Sequence, residues 1–307
     1  MKKRNRGNWT GKSRAYLAAV QSVLVSLRAY WPLTLRQVYY QLVAAGVIEN
    51  NRGEYQKLSR ILAKARIDEL VPWESMEDRA RSTLISGGWC DAEAFIEEQT
   101  GEYLRGYRRD LLADQTFALE AWIEKDALSH VAHGVAFDYC VPVIVARGFS
   151  SVSYVHESAC RIAANGEQGK RTVILYFGDL DPSGWCMLPS MLETLQREMK
   201  LGDLVSGVRC ALTPEQVEAY ALPRNPCAIK EKDTRTREYM ERFGDLAVEL
   251  DALPPATLEA LVREAIESHL DMSAFQEARD LQDEEREQIG DLRQRVHGFI
   301  GEEMGIE

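Results

Sequence analysis

The stretch 175–184, LYFGDLDPSG, sets two carboxylates, Asp179 and Asp181, two residues apart at the end of an apolar run, then adds Pro182 and Gly184. On a regular strand two such side chains share a face about 7 Å apart. In an irregular turn, which Pro and Gly enforce, they can converge on one hard cation. A third acid, Glu124, closes another apolar run in WIEKDAL (122–128). No soft ligand accompanies the three, and an all-oxygen donor set suits Mg²⁺, with Mn²⁺ as a substitute. The plain alternative is that D-x-D-P-x-G is only a polar turn between strand and helix. An acid at the end of a neighbouring strand weighs against it.

A second constellation lies in LRQVYYQLV (35–43), where Tyr39 and Tyr40 stand side by side behind Arg36. At about 100° per residue, Leu35, Val38, Tyr39, Leu42 and Val43 share one side of a helix, while Arg36, Gln37, Tyr40, Gln41 and Ala44 share the other. Tyr39 is then a core residue. Tyr40 projects from the polar face one turn after Arg36, whose charge would favour a phenolate or hold a phosphate. Two roles stay open for Tyr40 on this basis: a nucleophile, or a contact to phosphate or solvent.

The elements that must position these groups fall into two textures. Residues 13–30 carry apolar side chains at a helical period, WPLT (31–34) ends that helix, Thr34 is a good N-cap for a second one, and a third amphipathic segment covers 55–69. VPWESMEDRAR (71–81) supplies a short hairpin or wing. Three short helices with a basic face predict a helix-turn-helix or winged-helix module. From Phe117 onward, apolar runs at 117–124, 141–147, 171–177 and 205–212 alternate with helical stretches. That alternation predicts a parallel sheet covered by helices, with its ligands beyond the carboxyl ends of the strands. After ALPP (252–255) the chain reads as helical and charged, with apolar residues at 289, 292, 296 and 299 that suit packing better than a coiled coil.

Charge divides along the same line. Residues 1–81 hold 15 Lys/Arg and 7 Asp/Glu, net +8, within a chain of 307 residues and net charge −11. Clustered cations are what phosphate contact requires. The start of the chain is basic without the apolar stretch of a secretory signal, and no apolar run is long enough to span a bilayer, so a cytoplasmic protein is expected. The six cysteines form no C-x-x-C pair and read as reduced thiols. GNWTGKS (7–13) is one residue short of a phosphate loop and follows a basic tail, not a strand. His130 and His133 read as helix-surface residues rather than metal ligands.

The order of TLRQVYYQLV, WIEKDAL and FGDLDPSG resembles the A subunit of topoisomerase VI and the related meiotic double-strand-break transesterase, in particular compact stand-alone members called Mini-A. The resemblance spans roughly 13–255. It implies a winged-helix domain (1–88), a helical linker (89–114), a Rossmann-like TOPRIM domain (115–250) and a helical C-terminal segment (251–307). It further implies that Tyr40 is the nucleophile with Arg36 and Lys125 beside it, that Glu124, Asp179 and Asp181 bind Mg²⁺, and that Lys230, Lys232, Asp233 and Arg235 of IKEKDTRTREY lie near DNA or the metal. The expected reaction is cleavage of double-stranded DNA by transesterification, leaving a 5′-phosphotyrosyl bond. The expected assembly is a homodimer whose active site is shared between protomers. Strand passage in topoisomerase VI is driven by a separate ATP-binding B subunit; this chain contains no such ATPase. Two rivals belong to other classes: a TOPRIM nuclease using metal-bound water, and a winged-helix protein that binds DNA without cutting it.

Overall fold

A computed structural model of the chain describes residues 9–76, 87–146, 152–225, 228–229 and 235–304. It contains helices α1 (Gly11–Ser26), α2 (Leu35–Ala44), α3 (Arg52–Ile67) and α4 (Ala92–Glu102), then strand β1 (Phe117–Ile123) and α5 (Ser129–Asp138). Strand β2 (Val143–Val145), α6 (Val152–Glu167), β3 (Arg171–Phe177), α7 (Pro182–Glu193) and β4 (Val205–Ala211) continue the alternation. The chain closes with α8 (Pro214–Ala219), α9 (Thr236–Phe243), α10 (Pro255–Glu267) and α11 (Met272–Met304). No helix among the described residues is long and apolar enough to cross a membrane.

The four strands form one parallel sheet in the order β2-β1-β3-β4. β1 and β3 pair along their whole length, from Phe117 beside Arg171 to Ile123 beside Phe177. Two central strands in register therefore end side by side, which brings the acids that follow them onto one edge. Both strands are apolar on both faces, as a strand covered by helices on each side must be. Trp122, Ile174 and Tyr176 pack with α6 and α7 on one of those faces, and Trp122 and Tyr176 are fully buried. Trp122 finds its polar partner inside the protein: its Nε1 donates to Glu120 at 2.8 Å, and Glu120 in turn holds Arg161 of α6 at 3.1 Å.

The N-terminal helices follow their local signals. Thr34 and Gln37 form a reciprocal capping box that starts α2, and Asn51 caps α3. α2 packs on α1 and α3 through Val38, Tyr39 and Leu42, all buried. α3 carries Arg52, Lys57, Arg60, Lys64 and Arg66, the cations that dominate this part of the chain. Of the expected hairpin or wing at 71–81, only 71–76 are described: Trp73–Ser75 is a single 3-10 turn rather than a strand, and Met76 after it bridges to Leu33; 77–81 lie outside the described residues.

By contacts the chain divides into two compact units, 1–80 with 117–269, and 81–116 with 270–307. The units run across the four expected segments rather than along them. The helices 1–80 and the sheet share a unit, while the stretch expected to be a linker packs with the C-terminal helix. In that second unit Tyr107 and Arg109 both reach Glu285 of α11 at 2.6 Å, and Gln115 exchanges two hydrogen bonds with the backbone of Asp271.

A candidate acidic site at the carboxyl edge of the sheet

Glu124 and Asp179 meet because β1 and β3 end in register. The Glu124 N–H donates to the Phe177 carbonyl at 2.9 Å, extending the ladder one residue beyond the strand. Its Oε2 accepts from the Asp179 N–H at 2.9 Å and from the Tyr176 hydroxyl at 3.2 Å. Asp181 is the N-cap of α7, accepting from the Gly184 N–H at 2.7 Å, with Pro182 at the first helical position. Gly184 is required here because a Cβ at that position would come within 2.5 Å of the Asp179 carbonyl oxygen. The D-x-D-P-x-G sequence is thus a strand-to-helix turn, and the same turn aims its acids at the sheet edge.

Two acids that the sequence reading did not assign to the site join them. Glu249 and Asp251 lie in the short turn before α10, within the ELDALPP sequence, and Asp251 is buried. The Leu250 N–H between them donates to Asp179 Oδ1 at 2.8 Å. Leu180 and Val248 form an antiparallel bridge that fastens this turn to the aspartate loop. The only local signal was two acids beside a Pro-Pro pair, which many surface turns also carry.

The cations of the site come from both parts of the unit. Lys125 Nζ lies 2.6 Å from Asp179 Oδ2 and 3.8 Å from Glu249 Oε2. Arg36 of α2 pairs with Glu249, and its Nε lies 2.7 Å from Asp251 Oδ2. Arg36, Lys125, Asp179, Asp181, Glu249 and Arg235 line one cleft of about 240 Å³. Arg235 lines this cleft, whereas Lys230, Lys232 and Asp233 fall outside the described residues.

Tyr40 departs from the helical-wheel reading. It is not on a solvent face: it is buried to 3% exposure, as is Gln37 to 2%. The cause is that α2 has two partners, with its polar side packed on the turn at 250–252. The Arg36 guanidinium lies 5.7 Å from the Tyr40 ring centroid. Arg36 does lower the phenol pKa, but burial outweighs it, and Asp251 and Asp179 add to the rise, so the net shift is upward and Tyr40 is a neutral phenol. Tyr39 is the core residue expected of it, its hydroxyl within 3.1–3.3 Å of acceptors on Glu49, Asn50 and Asn51. His133 is exposed, with its ring 5.5 Å from that of Phe137, whereas His130 is not the surface residue expected: it is half-buried and both its ring nitrogens are covered.

Five carboxylates gather at this edge with the cations Arg36, Lys125 and Arg235. Burial first, then mutual repulsion, pushes the pKa values of Glu124 and Asp181 up; burial does the same to Asp251, opposed by Arg36. Asp251 Oδ1 is buried with no hydrogen-bond donor among the described residues. No three Asp, Glu, His or Cys side chains among those residues are drawn close enough to hold an ion. In Asp179, one carboxylate oxygen is committed to the Leu250 N–H and the other to Lys125. The oxygen donors match a hard divalent cation in chemical type, but their placement does not gather them around one.

No protein-family model matches the chain, and neither a curated protein nor a solved structure matches it. The helices 1–80, the parallel sheet and the acidic edge define an α/β protein with a mixed acid and base cleft.

Proposed function

We propose that the chain cleaves double-stranded DNA by transesterification at Tyr40. One observation carries the reading: α2, which bears the arginine–tyrosine pair, packs on the acidic edge of the sheet, so Arg36 and Lys125 face the carboxylates around a single cleft. Helices α1 to α3 and the residues after them would serve as a winged-helix module, and α3 offers its cations to DNA phosphates. The sheet and its acidic edge would serve as a TOPRIM domain.

In the reaction the Tyr40 oxygen forms a bond to a DNA phosphorus while the bond from that phosphorus to the 3′ oxygen breaks. The phenol proton leaves, and the 3′ oxygen takes one up. One phosphodiester replaces another, so resealing needs no energy source. Arg36 and Lys125 stabilise the charge that develops on the phosphoryl and leaving oxygens. Glu124, Asp179 and Asp181 would hold Mg²⁺, which when bound offsets that same charge. Lys125 would have to leave Asp179 Oδ2 to free that oxygen for the cation.

The covered Tyr40 suits a shared site in a homodimer. Its own Arg36 is engaged with its own Glu249 and Asp251, so the tyrosine is stored in one protomer and used at the acids of the other once DNA draws α2 away. A two-fold pair also delivers two cuts on antiparallel strands.

The test is to incubate the protein with DNA and Mg²⁺, denature it with detergent, and look for protein joined to 5′ ends at Tyr40. Tyr40→Phe is expected to bind DNA and leave no such adduct, and EDTA is expected to abolish cleavage. Free 5′-phosphate ends that persist in Tyr40→Phe would establish a water-using nuclease instead.

A further inference from the structure

The second unit, 81–116 with 270–307, holds a groove of a different chemistry. α11 presents Arg286, Ile289, Gly290 and Arg293 at i, i+3, i+4 and i+7, so the four share one side of the helix. The loop after α4 closes the groove with Leu104, Arg105, Gly106 and Tyr107, at a volume of about 280 Å³. Three arginines line it, and no carboxylate among the described residues does. Gly290 leaves its floor open: nothing lies within 4 Å of the position a Cβ would take. No packing contact therefore requires a glycine there, although glycine is a poorer helix former than alanine.

The arginines have a structural duty that uses only part of them. Arg286 Nε donates to the Tyr107 carbonyl at 3.2 Å and Arg293 Nη2 to the Gly101 carbonyl at 2.6 Å, which holds the loop on the helix. Neither bond uses Arg293 Nε, which is buried with no acceptor among the described residues. A buried donor of a charged group is costly to leave without an acceptor, and an anion in the groove supplies one. The acids nearby do not fill that need. Glu102 pairs with Arg105 at 2.6 Å and Asp283 with Arg286 at 3.4 Å, all four side chains being close to half exposed or more. Such surface pairs are weak and leave the arginines able to take a stronger acceptor. Glu285 is engaged by the Tyr107 hydroxyl and by Arg109.

We infer that this groove binds a phosphate group, held by Arg105, Arg286 and Arg293. Guanidinium forks match phosphate oxygens in pairs, which is why arginine rather than lysine suits such a site. Leu104, Tyr107 and Ile289 supply apolar wall for a small organic body beside the phosphate, and the volume is close to the lower bound of about 300 Å³ for small-molecule sites. Two sources offer this chemistry, a small phosphorylated molecule and the DNA backbone. The site shares no residue with the acidic edge or with Tyr40, and it needs no metal.

The test is calorimetric titration of the full chain with pyrophosphate, in EDTA at low ionic strength, with thermal melting in parallel. Arg293→Gln is expected to weaken binding by about tenfold or more, the loss of a charge-assisted hydrogen bond. Gly290→Leu keeps every arginine, fills the floor of the groove and replaces glycine by a stronger helix former; it is expected to melt no lower than the parent and to weaken binding by at least the same factor. Gly290→Ala, which adds one methyl in open space, is expected to bind within about twofold of the parent. If Arg293→Gln does not fold, Gly290→Leu decides alone. A parent chain that binds no pyrophosphate, or a folded Gly290→Leu that binds it as tightly as the parent, would overturn the site, and citrate binding as tightly as pyrophosphate would overturn the phosphate assignment. A short DNA duplex that binds the parent more tightly than Gly290→Leu identifies the backbone as the source; equal binding of the duplex, with pyrophosphate binding lost in Gly290→Leu, identifies a small phosphorylated molecule.

Discussion

The tightest geometric demand at the acidic edge falls on Gly184, and a pair of glycine substitutions measures it. A Cβ at Gly184 would stand 2.5 Å from the Asp179 carbonyl oxygen and 3.1 Å from the Asp179 carbonyl carbon and Cβ. The closest of these approaches falls about 0.9 Å short of the 3.4 Å at which ordinary contact begins. The obstacle is backbone, so no side-chain rotation relieves it. Either α7 slides outward or the aspartate turn retreats, and overpacking of this kind costs about 1–3 kcal/mol. For a unit of this size that corresponds to a fall in Tm of roughly 2–12 °C. A displacement approaching 1 Å at the acids also reduces catalysis by about 100-fold when geometry governs the rate. Gly134, in the middle of α5, is the control: nothing lies within 4 Å of its Cβ position. Gly134→Ala is expected to stabilise the chain by about 0.5–1 kcal/mol through helix propensity. Calorimetry and the 5′-adduct assay on both variants read the outcome. If Gly184→Ala melts with the parent and forms the adduct at the parental rate, the close packing of α7 on the aspartate turn is wrong.

Two further results are expected. Asp251→Ala should lower stability by about 2 kcal/mol in denaturant titration, less than the 3–5 kcal/mol of a fully buried pair, because the Arg36 side chain is 38% exposed and keeps Glu249; an unchanged midpoint would show that Arg36 gains nothing from Asp251. Mixing Tyr40→Phe with Glu124→Ala, once subunits exchange, should restore single-strand nicking with protein attached to the nick, because a site shared between protomers leaves one complete tyrosine–acid pair in each heterodimer; proven heterodimers that stay inactive would place the reaction within one chain.

Much of the scaffold was legible in the linear pattern. The parallel sheet followed from four apolar runs alternating with helical stretches, and strands at 117–123, 171–177 and 205–211 lie within the expected runs; β2 is only Val143–Val145. Thr34 starts α2 as a cap with its own partner three residues on, a signal that is local and therefore readable. Acids at the ends of β1 and β3 were readable because a parallel sheet puts its strand ends on one edge; that these two strands are neighbours there was set by the strand order. What the tertiary structure decided was every relation between distant segments. A helical wheel assigns one buried face, but α2 is covered on two sides, so Tyr40 is buried although it stands on the wheel's polar side. Glu249 and Asp251 join the site across more than two hundred residues through Arg36, and no periodicity records a pairing at that separation. Lys125 turns to Asp179, a buried carboxylate that needs a neutralising charge, while Glu249 beside it is paired with Arg36. Local chemistry sets which elements form and which acids end them; which faces and charges meet is set by the packing of those elements, where the cost of an uncovered apolar face or an unpaired buried charge selects among the arrangements that the local pattern permits.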